Sequence, residues 1–325
     1  MTDLDTIAGV LLGTAIGDAL GLPHEGLHPE RIARRLRRRP LEHRMFLGCG
    51  LVSDDTEHTS MVARALASSG GEVEAFTRSL AAALRRWVLA LPPGIGLATL
   101  RGSLRLLVGV PPERSGVDSA GNGPAMRSAI LGVCAKDDAH LVALTRASTR
   151  LTHTDPRAED GAVLIARLAR QLSRGELDDS IIAMIRDLEF RQRVREAWGG
   201  QRGSYERGVS GFIVDTVPAA VYCALWSEDA RGAIESAIRL GGDTDTCAAI
   251  VGALVGARGG LEGLPKDWLE GVRDWPLGVE SLTALAVSLA EGSAPEDQRW
   301  LASIPRNLGM IAVILGHLLL RALGR

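Results

Sequence analysis

The stretch Gly241–Ala257, GGDTDTCAAIVGALVGA, decides how the 325-residue chain is read. From Thr246 to Ala257 its small residues, Ala248, Ala249, Gly252, Ala253, Gly256 and Ala257, leave almost no polar face. A helix without a polar face is packed closely on all sides, so this segment is expected to run through the core. Its acidic N-terminal end would then set Asp243 and Asp245 at the floor of a central cleft, where helix-terminal N–H groups favour ionised carboxylates. A second acidic cluster, Ser53-Asp54-Asp55-Thr56, also opens a helix-like segment. Together the two clusters read as one metal site. Carboxylates paired with adjacent hydroxyls suit hard, oxygen-preferring cations such as Mg²⁺ or Mn²⁺, whereas a soft-metal site would need Cys and His at short spacing. Singly, either cluster reads equally well as a helix cap, with Asp54 and Glu57 forming a capping arrangement at the earlier helix start.

The rest of the chain agrees with an all-α fold. Ala, Leu and Arg dominate, β-branched alternation is scarce, and aromatics make up only 4% of the residues. The patterning predicts helices over 4–20, 56–68, 72–89, 97–107, 124–134, 137–148, 160–174, 177–197, 214–225, 229–240, 246–257, 265–272, 279–290 and 300–323. No Gly/Pro/Ser-rich linker divides them, so residues 1–325 are expected to form one compact domain, with a motif-bearing core over 4–290 and a tail over 300–325. Lys and Arg number 37 against 39 Asp and Glu, a net charge of −2 that gives no overall attraction to nucleic acid or an anionic membrane. The run of arginines from Arg31 to Arg39 lacks interleaved aromatics and reads as a solvated helix ending at Pro40, with a polyanion-binding patch as the alternative. Cys49, Cys134, Cys223 and Cys247 are far apart and form no CxxC pair, as for reduced thiols in a cytoplasm. The N-terminus is acidic, unlike a signal peptide. The longest apolar run, Leu308–Leu320, is interrupted by His317 and is shorter than the roughly 20 residues of a spanning helix. The tail, with Arg306, Arg321 and Arg325, reads as packing on the body or as a dimer contact, with an interfacial helix as the alternative.

Five segments, in order, resemble the ADP-ribosylglycohydrolase family, which includes dinitrogenase reductase-activating glycohydrolases and ADP-ribosyl-acceptor hydrolases. Gly9–Glu25 (GVLLGTAIGDALGLPHE) is similar to the family's opening helix and its G-D-A-x-G-x-P-x-E turn. Ser53-Asp54-Asp55-Thr56 resembles [ST]-D-D-T, and Ser119–Arg127 (SAGNGPAMR) resembles the G-N-G-x-x-M-R loop. Leu151–Pro156 (LTHTDP) resembles T-H-x-x-P, and Gly241–Thr246 resembles G-G-D-[TN]-D-T. They span about three quarters of the chain.

The resemblance implies an all-α domain with a binuclear Mg²⁺ cleft, Mn²⁺ being an alternative. It also implies hydrolysis of an ADP-ribosyl glycosidic bond through an oxocarbenium-like transition state, releasing ADP-ribose from a modified protein or other substrate. By motif, Ser53, Asp54, Asp55, Asp243, Asp245 and Thr246 would hold the metals. Glu25, with Asp54 and Asp55, would form the catalytic set, while Asp18 would support Glu25 or cap the turn. Ser119, Gly121, Asn122 and Gly123 would meet phosphates and proximal ribose, and His153 the ligand cleft. In the arginine-specific branch an aspartate stands where Pro92-Pro93-Gly94-Ile95-Gly96 has Gly94, so Gly94 and Gly96 would offer backbone contacts to the diphosphate and an O-linked, serine-type substrate is expected. Two readings compete. A non-hydrolytic ADP-ribose binder would have little reason to keep every metal carboxylate. An isoprenoid synthase-type Mg²⁺ enzyme fits Asp54-Asp55-Thr56-Glu57-His58 poorly, and its aromatic cavity is hard to build from 4 Phe, 6 Trp and 2 Tyr. No His-Asp dipeptide of the metal-dependent phosphohydrolases occurs.

Overall fold

The computed structural model describes residues 3–295 and 300–322, which are predominantly helical and form no strand. The helices are α1 (Leu4–Gly21), α2 (Pro29–Arg38), α3 (Asp54–Ser69), α4 (Val73–Leu89), α5 (Leu97–Leu107), α6 (Pro112–Ser115), α7 (Gly123–Met126), α8 (Ala129–Cys134) and α9 (Asp138–Arg150). They continue with α10 (Pro156–Arg174), α11 (Leu188–Trp198), α12 (Ile213–Leu225), α13 (Ala230–Arg239), α14 (Thr244–Gly259), α15 (Lys266–Gly271), α16 (Val279–Glu291) and α17 (Ser303–Ala322). All-α architecture is as the composition predicts.

α14 is the axis of the fold, buried from Thr244 to Ala257. Its closest neighbour is α1, which carries Gly9, Gly13, Gly17 and Gly21 at four-residue spacing on one face. A Cβ on Gly13 would lie 2.2 Å from the carbonyl oxygen of Gly252, and one on Gly17 would lie 1.9 Å from that of Ala248. Gly9 meets Gly256 in the same way, so the numbering rises along one helix as it falls along the other and the pair is antiparallel. Backbone touches backbone along the seam. The carboxyl end of α1 is thereby fixed beside the amino end of α14, where the Thr244 hydroxyl donates to the Gly21 carbonyl at 2.9 Å. With its following turn, α1 is apolar and long enough to cross a membrane, a property the reading of Leu308–Leu320 overlooked; here it is a core helix, buried from Ile7 to Gly21.

Two predicted helices are broken where polar residues intervene. The expected 124–134 helix stops at Arg127, whose fully buried guanidinium turns to Ser148, Thr152 and His58. The expected 177–197 helix divides because Asp178 and Asp187 act as N-caps, accepting from Ser180 N–H and Phe190 N–H. The Arg31–Arg39 run lies on α2, which buries Ile32 and leaves Arg34, Arg37 and Arg38 exposed. α17 packs back on the body, with Met310 buried against Leu22 and Met45, while Leu308 and Leu315 face outward. The Arg321 side chain and Arg325 lie outside the described residues.

Candidate active site

The antiparallel seam brings three turns to one end of the molecule. The Gly241-Gly242 turn is held between two segments: Gly26 N–H donates to the Gly242 carbonyl at 2.8 Å and Gly242 N–H to the Leu27 carbonyl at 2.9 Å, while Asp243 N–H donates to the Val209 carbonyl at 2.8 Å. Both glycines have positive φ, and a Cβ on Gly242 would lie 2.1 Å from the Val209 oxygen, so side chains are excluded there. Glu25 is thus stitched next to Asp243 and Asp245. The third turn, Val52–Thr56, is pinned by Asp18. Its carboxylate accepts from Ser53 N–H at 2.8 and 3.0 Å, from Thr56 N–H at 3.1 Å and from the Thr56 hydroxyl at 2.5 Å. Asp18 therefore anchors the turn.

The capping arrangement expected of Asp54 and Glu57 does not form. Ser53 is the N-cap of α3, its Oγ accepting from Asp55 N–H at 3.3 Å. Glu57 points the other way, to Trp87 Nε1 at 2.6 Å and Arg306 Nη1 at 2.9 Å, because those donors compensate its buried charge.

Across the seam the acidic side chains meet. The Ser53 hydroxyl donates to Asp55 Oδ2 at 3.1 Å, the Thr246 hydroxyl donates to the same oxygen at 3.3 Å, and the Asn122 amide donates to Asp243 Oδ2 at 2.7 Å. Burial, then Glu57 and Asp18, hold the Asp54 carboxyl well above the usual range. Burial, then Asp18 and Asp54, do the same to Asp55, and burial followed by Glu25 and Asp243 raise Asp245. Two unit charges 4 Å apart repel by about 4 kcal/mol even at an effective dielectric of about 20. Such a group needs protons or a cation. Asp55 Oδ1 and Asp245 Oδ1 are buried without a hydrogen-bond partner, a costly condition that a hard cation would relieve. Among the described residues no three acidic, His or Cys side chains are grouped closely enough to enclose an ion, so the donor set has the chemistry for a hard cation without a closed cage.

A cleft of about 590 Å³ lies over this cluster. Its lining includes Glu25, Asp54, Asp243, Asp245 and Thr246 together with Gly94, Gly96, Ser119, Gly121, Asn122, Gly123 and His153. Ser53 and Asp55 sit beneath its floor, linked through Asp55 Oδ2. Gly94 has φ +78°, and a Cβ there would point to within 3.9 Å of Asp54 Oδ1. Gly96 is the N-cap of α5 and makes no side-chain cap, so the first turn of α5, from Leu97 to Thr99, faces the cleft with N–H groups that no side chain caps. His153 is nearly all buried, with Nε2 2.9 Å from where a Cβ on Gly121 would be. Burial and then Arg127 push its imidazole down to about 3, so it is neutral and supports the glycine loop from below.

Several residues escaped the sequence reading. Phe212, Val209, Ser210 and Gly211 also line the cleft, and Phe212 is 57% exposed. An exposed aromatic just before a helix was the available signal. Thr216, which accepts the second hydrogen bond of Asn122 at 3.0 Å, carried none.

Comparison with known proteins identifies the lineage. A model of the family described as ADP-ribosylglycohydrolase matches residues 1–299. The ADP-ribosyl-[dinitrogen reductase] glycohydrolase of Rhodospirillum rubrum is 28% identical over 308 residues, covering 87% of this chain and 97% of that protein. The ADP-ribosylarginine hydrolase Tri1 of Pseudomonas putida is 30% identical over 296 residues, 86% of this chain and 77% of the relative. A solved structure titled an ADP-ribosylglycohydrolase-related protein complex superposes with a TM-score of 0.72 at 28% identity, over 89% of this chain and 98% of the other. The chain belongs to the ADP-ribosylglycohydrolase family, hydrolases acting on glycosyl bonds.

Proposed function

We propose that this ADP-ribosylglycohydrolase-family chain is an Mg²⁺-dependent enzyme that releases ADP-ribose from O-linked, serine-type substrates in a cytoplasm. The observation that supports it best is that one cleft is lined both by acidic side chains, Glu25, Asp54, Asp243 and Asp245, and by glycine backbone at Gly94, Gly96, Gly121 and Gly123. An anionic diphosphate is repelled by bare carboxylates and favoured by backbone N–H groups, which would set the ligand's orientation. In that orientation the diphosphate meets the N–H groups at the start of α5 and around Gly121 and Gly123, and the distal ribose reaches the carboxylates.

Ser53, Asp54, Asp55, Asp243, Asp245 and Thr246 would hold the cations, as their hard donor atoms and the two unpartnered carboxylate oxygens suit. When bound, such a pair supplies positive charge that orients ribose hydroxyls and acidifies a water. Glu25, which lines the cleft near Asp245, would move a proton at the scissile bond. Asn122 holds Asp243, and Asp18 holds the Val52–Thr56 turn, so neither needs to touch substrate. The O-linked preference rests on Gly94: its position against Asp54 offers no second acid to pair with a departing guanidinium. The relative named for arginine substrates supplies the counter-expectation.

The test is release of free ADP-ribose from serine-modified peptide, arginine-modified protein and poly(ADP-ribose), each with Mg²⁺ and with EDTA. Magnesium-dependent release from the serine peptide is expected. Release only from the arginine substrate would overturn the linkage assignment, equal release in EDTA would overturn the metal requirement, and binding without release would make the chain an ADP-ribose binder.

A further inference from the structure

Arg306 stands on α17, beyond residues 1–299 that the family model matches, yet it reaches the back of the Ser53-Asp54-Asp55 turn. Its side chain is only 9% exposed. Nη1 donates to Glu57 Oε1 at 2.9 Å, Nε to Asp274 Oδ1 at 3.1 Å, and Nη2 to Asp274 Oδ2 at 2.5 Å and to the Val52 carbonyl. Asp274 Oδ2 in turn accepts Val52 N–H at 2.9 Å. Both backbone polar groups of Val52 are therefore held by one Arg–Asp pair. Asn307, fully buried and donating to the Ala90 carbonyl at 2.8 Å, accepts from Arg306 Nη1 and fixes the guanidinium from its own helix.

Asp18 holds Ser53 and Thr56 from the front, so the turn is clamped on two sides. We propose that Arg306 is a positioning residue for the cation site: it locks Val52, and so the placement of Ser53, Asp54 and Asp55, while neutralising Glu57 and Asp274 behind them. The inference rests on the reading of Ser53, Asp54 and Asp55 as cation ligands. Two effects of removing Arg306 oppose each other. Losing a nearby positive charge favours cation binding, and losing the clamp disfavours it. The charge of Arg306 is already engaged by two carboxylates, so the clamp dominates. Outer partners of metal ligands typically govern affinity by about 10–100-fold.

The experiment measures Mn²⁺ affinity by calorimetry and metal-free melting temperature for the full chain and for R306A, R306K and M310A. R306A should weaken Mn²⁺ binding about tenfold or more at a temperature where the metal-free variant is folded. R306K, which keeps the charge without the fork, should fall between R306A and the parent chain. M310A loosens α17 from Leu22 and Met45, in a cluster that also takes in Leu51, without removing any hydrogen bond of Arg306 to the turn, and should lower the melting temperature while leaving Mn²⁺ affinity within about twofold. If R306A fails to fold, R306K against M310A carries the comparison. R306A or R306K binding Mn²⁺ as well as the parent, or M310A losing affinity as R306A does, would reduce Arg306 to an anchor of the tail. Absence of Mn²⁺ binding by the parent chain would instead remove the ligand assignment beneath the inference.

Discussion

Replacing Asp18 by Asn in the metal-free protein should raise its stability above pH 7 and give no gain near pH 4. Asp18 is fully buried, and burial lifts its carboxyl from 3.8 to about 6 against the opposing hydrogen bonds from Thr56 and Ser53. The folded state thus holds this proton more tightly than the unfolded chain does. The contribution to stability is fully present below about pH 4 and is lost as pH rises through about 6. At about 1.4 kcal/mol per pH unit, the displacement corresponds to about 3 kcal/mol. An Asn oxygen placed at Oδ2 keeps the hydrogen bonds from Ser53 N–H, Thr56 N–H and the Thr56 hydroxyl. Its amide nitrogen then faces Ser53 N–H in place of Oδ1, a buried donor against a donor, at a cost of about 2 kcal/mol. The net gain above pH 7 is about 1 kcal/mol. With an unfolding entropy of about 2.1 cal/mol/K per residue over the chain, the melting temperature should rise about 1–2 °C. Relief of Asp54 and Asp55, which Asp18 also raises, acts in the same direction. Differential scanning calorimetry of both proteins in EDTA from pH 4 to 8 reads the difference curve. Parallel curves, or a less stable variant at pH 8, would refute the reasoning.

Three further outcomes follow from the same geometry. Asp245→Ala should abolish Mg²⁺-dependent release of ADP-ribose while leaving the circular dichroism spectrum and metal-free stability largely unchanged, since it removes one of several mutually repelling buried carboxylates; full activity would sink the ligand assignment. Glu25→Ala should lower kcat by about 10²-fold or more with ADP-ribose Kd changed only a few-fold, and an equal loss in both would make Glu25 a binding residue alone. Gly13→Ala sets a methyl 2.2 Å from the Gly252 carbonyl oxygen, forces α1 from α14, and should cost about 3 kcal/mol or more in urea unfolding; an unchanged midpoint would show that the seam yields.

The local period and residue size of this chain determined much by themselves. A stretch as small and apolar as Thr246–Ala257 reads as a core helix by itself, while its partner, the glycine face of α1 from Gly9 to Gly21, shows only in the packed structure. The acidic turns were visible for the same reason, because carboxylates beside hydroxyls at a helix start are a local pattern. Which way each side chain turns was not local. Glu57 reads as a capping partner of Asp54 until Trp87 and Arg306, 30 and 249 residues away, offer its buried charge better donors. His153 reads as a ligand contact, and only the packed structure shows that it both lines the cleft and backs the Gly121 loop. Asp18, Asp274 and Arg306 become the clamp of the Val52–Thr56 turn through separations of 35 to 254 residues. A buried polar group takes whichever partner the packed helices bring within about 3 Å, and only the tertiary structure decides which partner that is.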